Sequence, residues 1–297
     1  MPLLAAGGHE LRALARTPSR VTADGVDDVV RGDVVTGAGL REALDAIEVA
    51  YFLVHSMETI SSPPTPAGGN GFADRDRVAA ANFARAARRA GVRRVVYLGG
   101  LVPAGRAASP HLASRLEVEE TLLDAASESV ALRASIVIGA RSRSFRFLVR
   151  LVERVPVMPL PAWRANRTQP IDGRDVLAYL VAAGTSDRVD GPLSLDIAGP
   201  DVLTYGEIVE RIRDALLLGR PRVELPLTLT AVASRVAAAI AGEDHELIGP
   251  LMAGLESDLL PRDERAHELF GVRLHRFDAA VERALRAWEA TEELAAR

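Results

Sequence analysis

Over its first half the chain alternates short apolar runs, each closed by glycine, proline or charge, with longer stretches of helical periodicity. Residues 2–7 predict a helix end stopped at Gly7-Gly8. Glu10 to Ala15 alternates and then meets Arg16-Thr17-Pro18, which predicts a strand and a turn. Val26 to Arg31 predicts a second strand, ended by Gly32-Asp33. Over 38–47, Leu40, Ala43, Leu44 and Ile47 share one helical face. Val49 to Val54 reads as a third strand, followed by His55-Ser56 and a Ser/Pro/Gly-rich loop over 56–71. Residues 72–90 form an amphipathic helix with Val78, Asn82, Phe83, Ala86 and Ala87 near one face. Then comes Val92 to Leu101, short and almost continuously apolar after two arginines, with Gly99-Gly100 near its end. Such a run predicts a strand buried on both faces, hence parallel. Ligands of open α/β sheets bind beyond the carboxyl ends of these strands, where glycine permits close approach to the backbone. The alternative is that Gly99 and Gly100 only form a turn.

Further on, a helix is expected over 111–126, a single strand over 129–138, a helix over 143–153, and a proline-rich loop over 155–170 around Trp163. Trp163, Phe145 and Phe147 either line a substrate crevice or pack. Asp172 to Ala183 predicts a helix that Asp172 caps, with Asp172 and Asp175 solvated. Leu193 to Ile197 predicts a strand, and Thr204 to Leu218 a helix opened by a Thr204/Glu207 capping box. From 226 onward the pattern is mostly helical. The sum is an α/β chain: a Rossmann-like, doubly wound parallel sheet with a smaller, mostly helical C-terminal lobe. The first domain is expected over 1–140, with 169–198 returning to it. Residues 141–168 and 199–297 form the second.

Composition removes whole classes of chemistry. There is no cysteine, and all 36 basic residues are arginine. Thiolate, Schiff-base and Tyr-x-x-x-Lys mechanisms are therefore closed. A net charge of −4 gives nucleic acid no purchase. No secretory signal is visible, and Pro226 and Arg235 interrupt the apolar stretch 225–241. The expectation is a cytoplasmic protein without membrane or nucleic-acid partners. It would take a small-molecule substrate and, for assembly, a second copy or a protein partner. The six histidines make no His-x-x-x-His pair, so no metal is expected.

A set of segments then resembles a known family: Leu11 to Arg16 with Pro18, Gly32-Asp33-Val34, Tyr51 to Met57, Tyr97 to Leu101, Gln169-Pro170-Ile171 with Asp175-Val176, and Gly199 to Tyr205. Together, over roughly 3–215, they are similar to atypical extended short-chain dehydrogenase/reductases, above all the NmrA-like NAD(P)H-binding proteins. The resemblance implies a bound dinucleotide, NADP(H) more than NAD(H). Arg16 would meet the 2′-phosphate, for which a planar guanidinium fork is suited. Arg12 would either assist or form a surface ion pair. Asp33, beside Val34, would accept from the adenine amino group while also capping its turn. Val54, His55 and Ser56 would line the nicotinamide ribose, near Gly99 and Gly100. The implied activity is oxidoreduction of a small carbonyl or quinone-like substrate. The alternative is a catalytically inactive NADP(H) sensor or interaction module.

Two departures stand out. The family opens with a strand, a Gly-x-x-Gly-x-x-Gly turn and a helix, and this sequence starts inside the end of that helix. The expected position of the further strand is central, between Glu10–Ala15 and Val49–Val54. The cost of deleting a central strand favours a start upstream over a truncated paralogue. The usual Ser-Tyr-Lys set is also absent. His111 and Arg115 align best with its Tyr and Lys; His111 is the candidate acid/base and Arg115 the candidate ribose ligand. The competing reading makes both the start of an exposed helix paired with Glu117, Glu119 and Glu120.

Overall fold

The computed structural model describes residues 1–22, 24–54, 71–102, 110–154, 158–160, 162–219, 222–224, 255, 257–292 and 294. The chain divides into two compact units. The first comprises Met1–Gly99, Pro110–Leu132 and Tyr179–Leu195, and the second Gly100–Ser109, Arg133–Ala178 and Asp196–Arg297.

The first unit opens with α1 (Pro2–Ala6), β1 (Arg12–Ala15), β2 (Asp28–Arg31), α2 (Leu40–Leu44) and β3 (Val49–Phe52). It continues with α3 (Gly71–Ala90), β4 (Arg94–Gly100), α4 (Pro110–Leu123) and β5 (Val130–Ala134). Later in the chain come α6 (Gly173–Thr185), of which this unit holds the part from Tyr179, and β10 (Leu193–Ile197), of which it holds the part up to Leu195; the sheet order is β10-β5-β4-β3. β3 and β4 run parallel in the register Val49↔Arg94 to Phe52↔Tyr97. Neighbouring strand residues point to opposite faces, and Val95 and Val96 are both 0% exposed. The central strand is thus covered on both sides, as its unbroken apolar run implies. Phe52, Ala80, Phe83, Ala84, Val95, Tyr97 and Leu122 belong to its core, with the Phe83 ring edge-on to Phe52 at 5.1 Å.

β1 and β2 form a separate parallel pair. Among the described strands, β1 and β3 share no ladder.

The second unit contains β6 (Val137–Ile138), α5 (Arg143–Arg154), β7 (Met158–Leu160), β8 (Arg167–Thr168) and β9 (Ile171–Asp172). It continues with β11 (Leu203–Thr204), α7 (Tyr205–Ala215), β12 (Arg222–Glu224), α8 (Arg265–Phe270) and α9 (Phe277–Glu289). Three expectations are corrected here. The single strand over 129–138 is two, because Ser135 N–H turns to the Ile197 carbonyl at 3.2 Å and β6 then pairs with β9. The loop over 155–170 contains β7, a 3₁₀ turn (Ala162–Ala165) and β8, which pairs antiparallel with β11. Asp175 is not solvated: it is 1% exposed and accepts from the His275 backbone N–H at 2.8 Å, with His275 Nδ1 at 2.5 Å.

Asp172 caps α6 through the Arg174 N–H at 2.8 Å but is also buried. Burial raises its pKa, yet the Arg174 hydrogen bonds and charge outweigh that and hold it below the usual carboxylate range. Trp163, Phe145 and Phe147 are core residues, Trp163 edge-on to Tyr205. The Thr204/Glu207 capping box forms as its spacing implies. Among the described residues, no helix is long and apolar enough to cross a membrane.

Candidate functional site

The first unit's paired strands release two clusters at their carboxyl ends. Ala15 faces Arg31 across the β1–β2 pair, and Gly32 N–H donates to the Ala15 carbonyl at 3.0 Å. Arg16 and Gly32-Asp33 therefore leave the same end of adjacent strands. Arg16 is exposed, and among the described residues it makes no ion pair.

Arg12 is four residues earlier on the same strand, roughly 13 Å away at the rise of a β-strand. Its Nε donates to Asp28 at 2.8 Å, and its Nη1 to the Asp45 and Glu42 carbonyls at 2.8 and 3.1 Å. The ion-pair reading of Arg12 describes this geometry, and Arg12 has no free fork to offer a phosphate.

Asp33 heads a tight turn. Its N–H donates to the Ala38 carbonyl at 2.9 Å, its carbonyl accepts from Gly37 N–H at 2.8 Å, and its Oδ1 accepts from Val35 N–H at 2.7 Å. The turn is close enough that a Cβ on Gly39, at φ +75, would lie 2.4 Å from the Arg31 carbonyl. Asp33 Oδ2 has no partner among the described residues. From across the unit, Asn82 on α3 donates to the Val34 and Val35 carbonyls. Sequence reasoning placed Asn82 on the apolar face of its helix and went no further. A polar residue in that stripe was the signal that it reaches a partner.

The second cluster follows β3 and β4. Past the Phe52↔Tyr97 pair, Leu53 and Val54 emerge 48% and 42% exposed, an apolar lip on the strand end. His55 and Ser56 lie outside the described residues. Gly99 lies at the matching end of β4, and a Cβ there would meet the Tyr97 ring at 3.0 Å. Gly100 closes β4 and is assigned to the second unit.

Of the proposed catalytic pair, the His111 side chain lies outside the described residues. Arg115, on α4, acts electrostatically on Tyr97. Burial pushes the Tyr97 phenol up to about 12; Arg115 pulls it down, while Glu119 and Asp76 push it up. A phenol held that high is a poor proton donor near neutrality. Glu119 is itself 3% exposed and accepts from the Ser194 hydroxyl at 2.6 Å. Among the described residues, no His/Asp/Glu cluster could hold a metal ion.

Among the described residues, the carboxyl ends thus present an unpaired guanidinium at Arg16, a carboxylate with one oxygen engaged at Asp33, and an apolar lip at Leu53 and Val54. The sequence profile of a family described as NAD(P)H-binding matches residues 1–136. Over 139 residues the chain is 27% identical to the Arabidopsis thaliana mitochondrial NADH dehydrogenase [ubiquinone] 1 alpha subcomplex subunit 9, covering 47% of this chain. The match spans about a third of that relative, 35% of its length.

Among solved structures, gox2253 aligns with a TM-score of 0.71 at 16% identity, over 97% of this chain and 93% of that one. MoeE5 in complex with UDP-glucuronic acid and NAD aligns at 0.69 and 18% identity, over 97% and 93%. Citrobacter sp. triphenylmethane reductase complexed with NADP(H) aligns at 0.66 and 16% identity, over 92% and 90%. At these identities the likeness is one of fold, and it is Rossmann-like.

Proposed function

We propose that this chain, an atypical NAD(P)-binding protein of the short-chain dehydrogenase/reductase type, is an NADP-preferring, NmrA-like oxidoreductase acting in the cytoplasm on a small carbonyl or quinone-like substrate. The observation that carries the preference is Arg16: exposed, unpaired among the described residues, and set beside the Asp33 turn by the β1–β2 register. A guanidinium left unpaired at a strand terminus offers a bidentate fork to a ribose phosphate. Asp33 would hold the adenine amino group through Oδ2. The dinucleotide, when bound, would supply the hydride; the chain's residues bind and orient it.

Arg16→Glu should weaken NADPH by about 100-fold, the scale of losing a charge-assisted hydrogen-bonded pair, and leave NADH within about threefold. Titration calorimetry with both nucleotides reads this directly, and equal losses would sink the phosphate role. The second reading is a catalytically inactive NADP(H) sensor, favoured by the lack of any lysine. NADPH oxidation across an aldehyde and quinone panel separates the two: turnover supports the enzyme, and saturable binding without turnover supports the sensor.

A further inference from the structure

A single peptide unit, the one joining Val34 to Val35, has both of its polar groups engaged. Its N–H, on Val35, donates to Asp33 Oδ1 at 2.7 Å. Its carbonyl, on Val34, accepts from Asn82 Nδ2 at 3.1 Å. The same nitrogen also donates to the Val35 carbonyl at 2.8 Å. In a planar trans amide the carbonyl and the N–H point opposite ways, so gripping one fixes the direction of the other. A hydrogen bond at the carbonyl also polarises the amide and strengthens its donation.

The grip is anchored independently of the turn. Asn82 sits mid-helix on α3 beside Ala79, Ala80, Phe83 and Ala84, all buried in the first unit's core. Its position is therefore set by helix packing, 49 residues along the chain from Asp33. The aspartate's Oδ1 is tied down, which leaves Oδ2 as the oxygen able to meet a ligand.

We propose that Asn82 is a positioning residue for base recognition: through the Val34–Val35 peptide it aims the Asp33 carboxylate at the amino group of a bound adenine. This rests on the dinucleotide reading of the preceding subsection. A residue that only supported the fold would change the melting temperature without changing which base is preferred.

The test uses the full chain and two nucleotides, NADPH and its hypoxanthine analogue, in which an oxygen replaces the adenine amino group. Wild type should prefer NADPH by about tenfold, the yield of one hydrogen bond to a charged group. In Asn82→Ala the preference should fall to about twofold, while the NADPH-over-NADH ratio set by Arg16 stays as in wild type. Asn82→Asp, near-isosteric but with an oxygen in place of the donor nitrogen, should behave the same way. A wild-type base preference in a variant that still melts cooperatively overturns the proposal. So does loss of cooperative melting in both variants, which would make Asn82 a residue of the fold alone. No uptake of either nucleotide by wild type removes the dinucleotide reading and this inference with it. Uptake without base discrimination removes Asp33's role and this inference but spares Arg16.

Discussion

The two ends of the first unit's strands treat charge in opposite ways. At the amino ends, Arg94 opens β4 with its side chain 2% exposed. It donates to the Ala183, Gly184 and Ser186 carbonyls at the close of α6 and to Glu128. Arg12 opens β1 and is engaged through Nε by Asp28 and through Nη1 by two carbonyls. At the carboxyl ends, Arg16 makes no ion pair among the described residues, Asp33 keeps one oxygen open, and Leu53 and Val54 stand exposed. Among the described residues, the two amino-end arginines find hydrogen-bond partners inside the protein, whereas at the carboxyl ends the Arg16 guanidinium and Asp33 Oδ2 have none, which is the contrast that the proposed binding edge requires.

The contrast can be broken at several strengths. Arg94→Ala is the severest: it leaves Glu128 to Arg93 alone and three carbonyls without their donor. It should cost about 3–5 kcal/mol in chemical denaturation, the range for removing one partner of a buried ion pair. A loss under about 1 kcal/mol would mean that the amino end is not held as described.

Glu128 gives the same comparison a pH dependence. The Arg94 hydrogen bond, followed by partial burial acting against it and the charge of Arg93, holds the Glu128 carboxyl below its ordinary range. A depressed native pKa contributes stability that is present above the unfolded value, near 4.3, and is lost as pH falls through the native one. The stability gap between wild type and Glu128→Gln should therefore be widest at neutral pH and shrink below about pH 4, because a protonated Glu128 resembles glutamine. A gap constant from pH 7 to pH 3 would refute the pairing.

The smallest effect is expected from Arg12→Ala. It should cost no more than about 1 kcal/mol, as for a partly exposed pair, and leave NADPH affinity within about twofold. Set beside Arg16→Glu, it asks whether four residues of strand separate a structural arginine from a ligand-facing one. Comparable losses of NADPH affinity in both variants would erase the distinction between the two ends.

Local signals were legible wherever a residue's partner lies within a few positions. The unbroken run Val95-Val96-Tyr97 meant two-sided burial, and the Thr204/Glu207 spacing meant a capping box, because each depends on periodicity or on one helical turn. The turn at Gly32-Asp33 was visible for the same reason. Long-range pairing decided the rest. Arg12 and Arg16 carry the same guanidinium, and only the Arg12↔Asp28 register together with the α2 carbonyls engages one and leaves the other open. The break of 129–138 at Ser135, the burial of Asp175 against His275, and the hold of Asn82 on a turn nearly fifty residues earlier depend on partners that sequence spacing does not bring together. The sequence by itself determined which elements form and which residue types reach the strand ends. Tertiary structure decided which of those groups are already satisfied, because a hydrogen bond is spent or free only once its partner has been delivered in space.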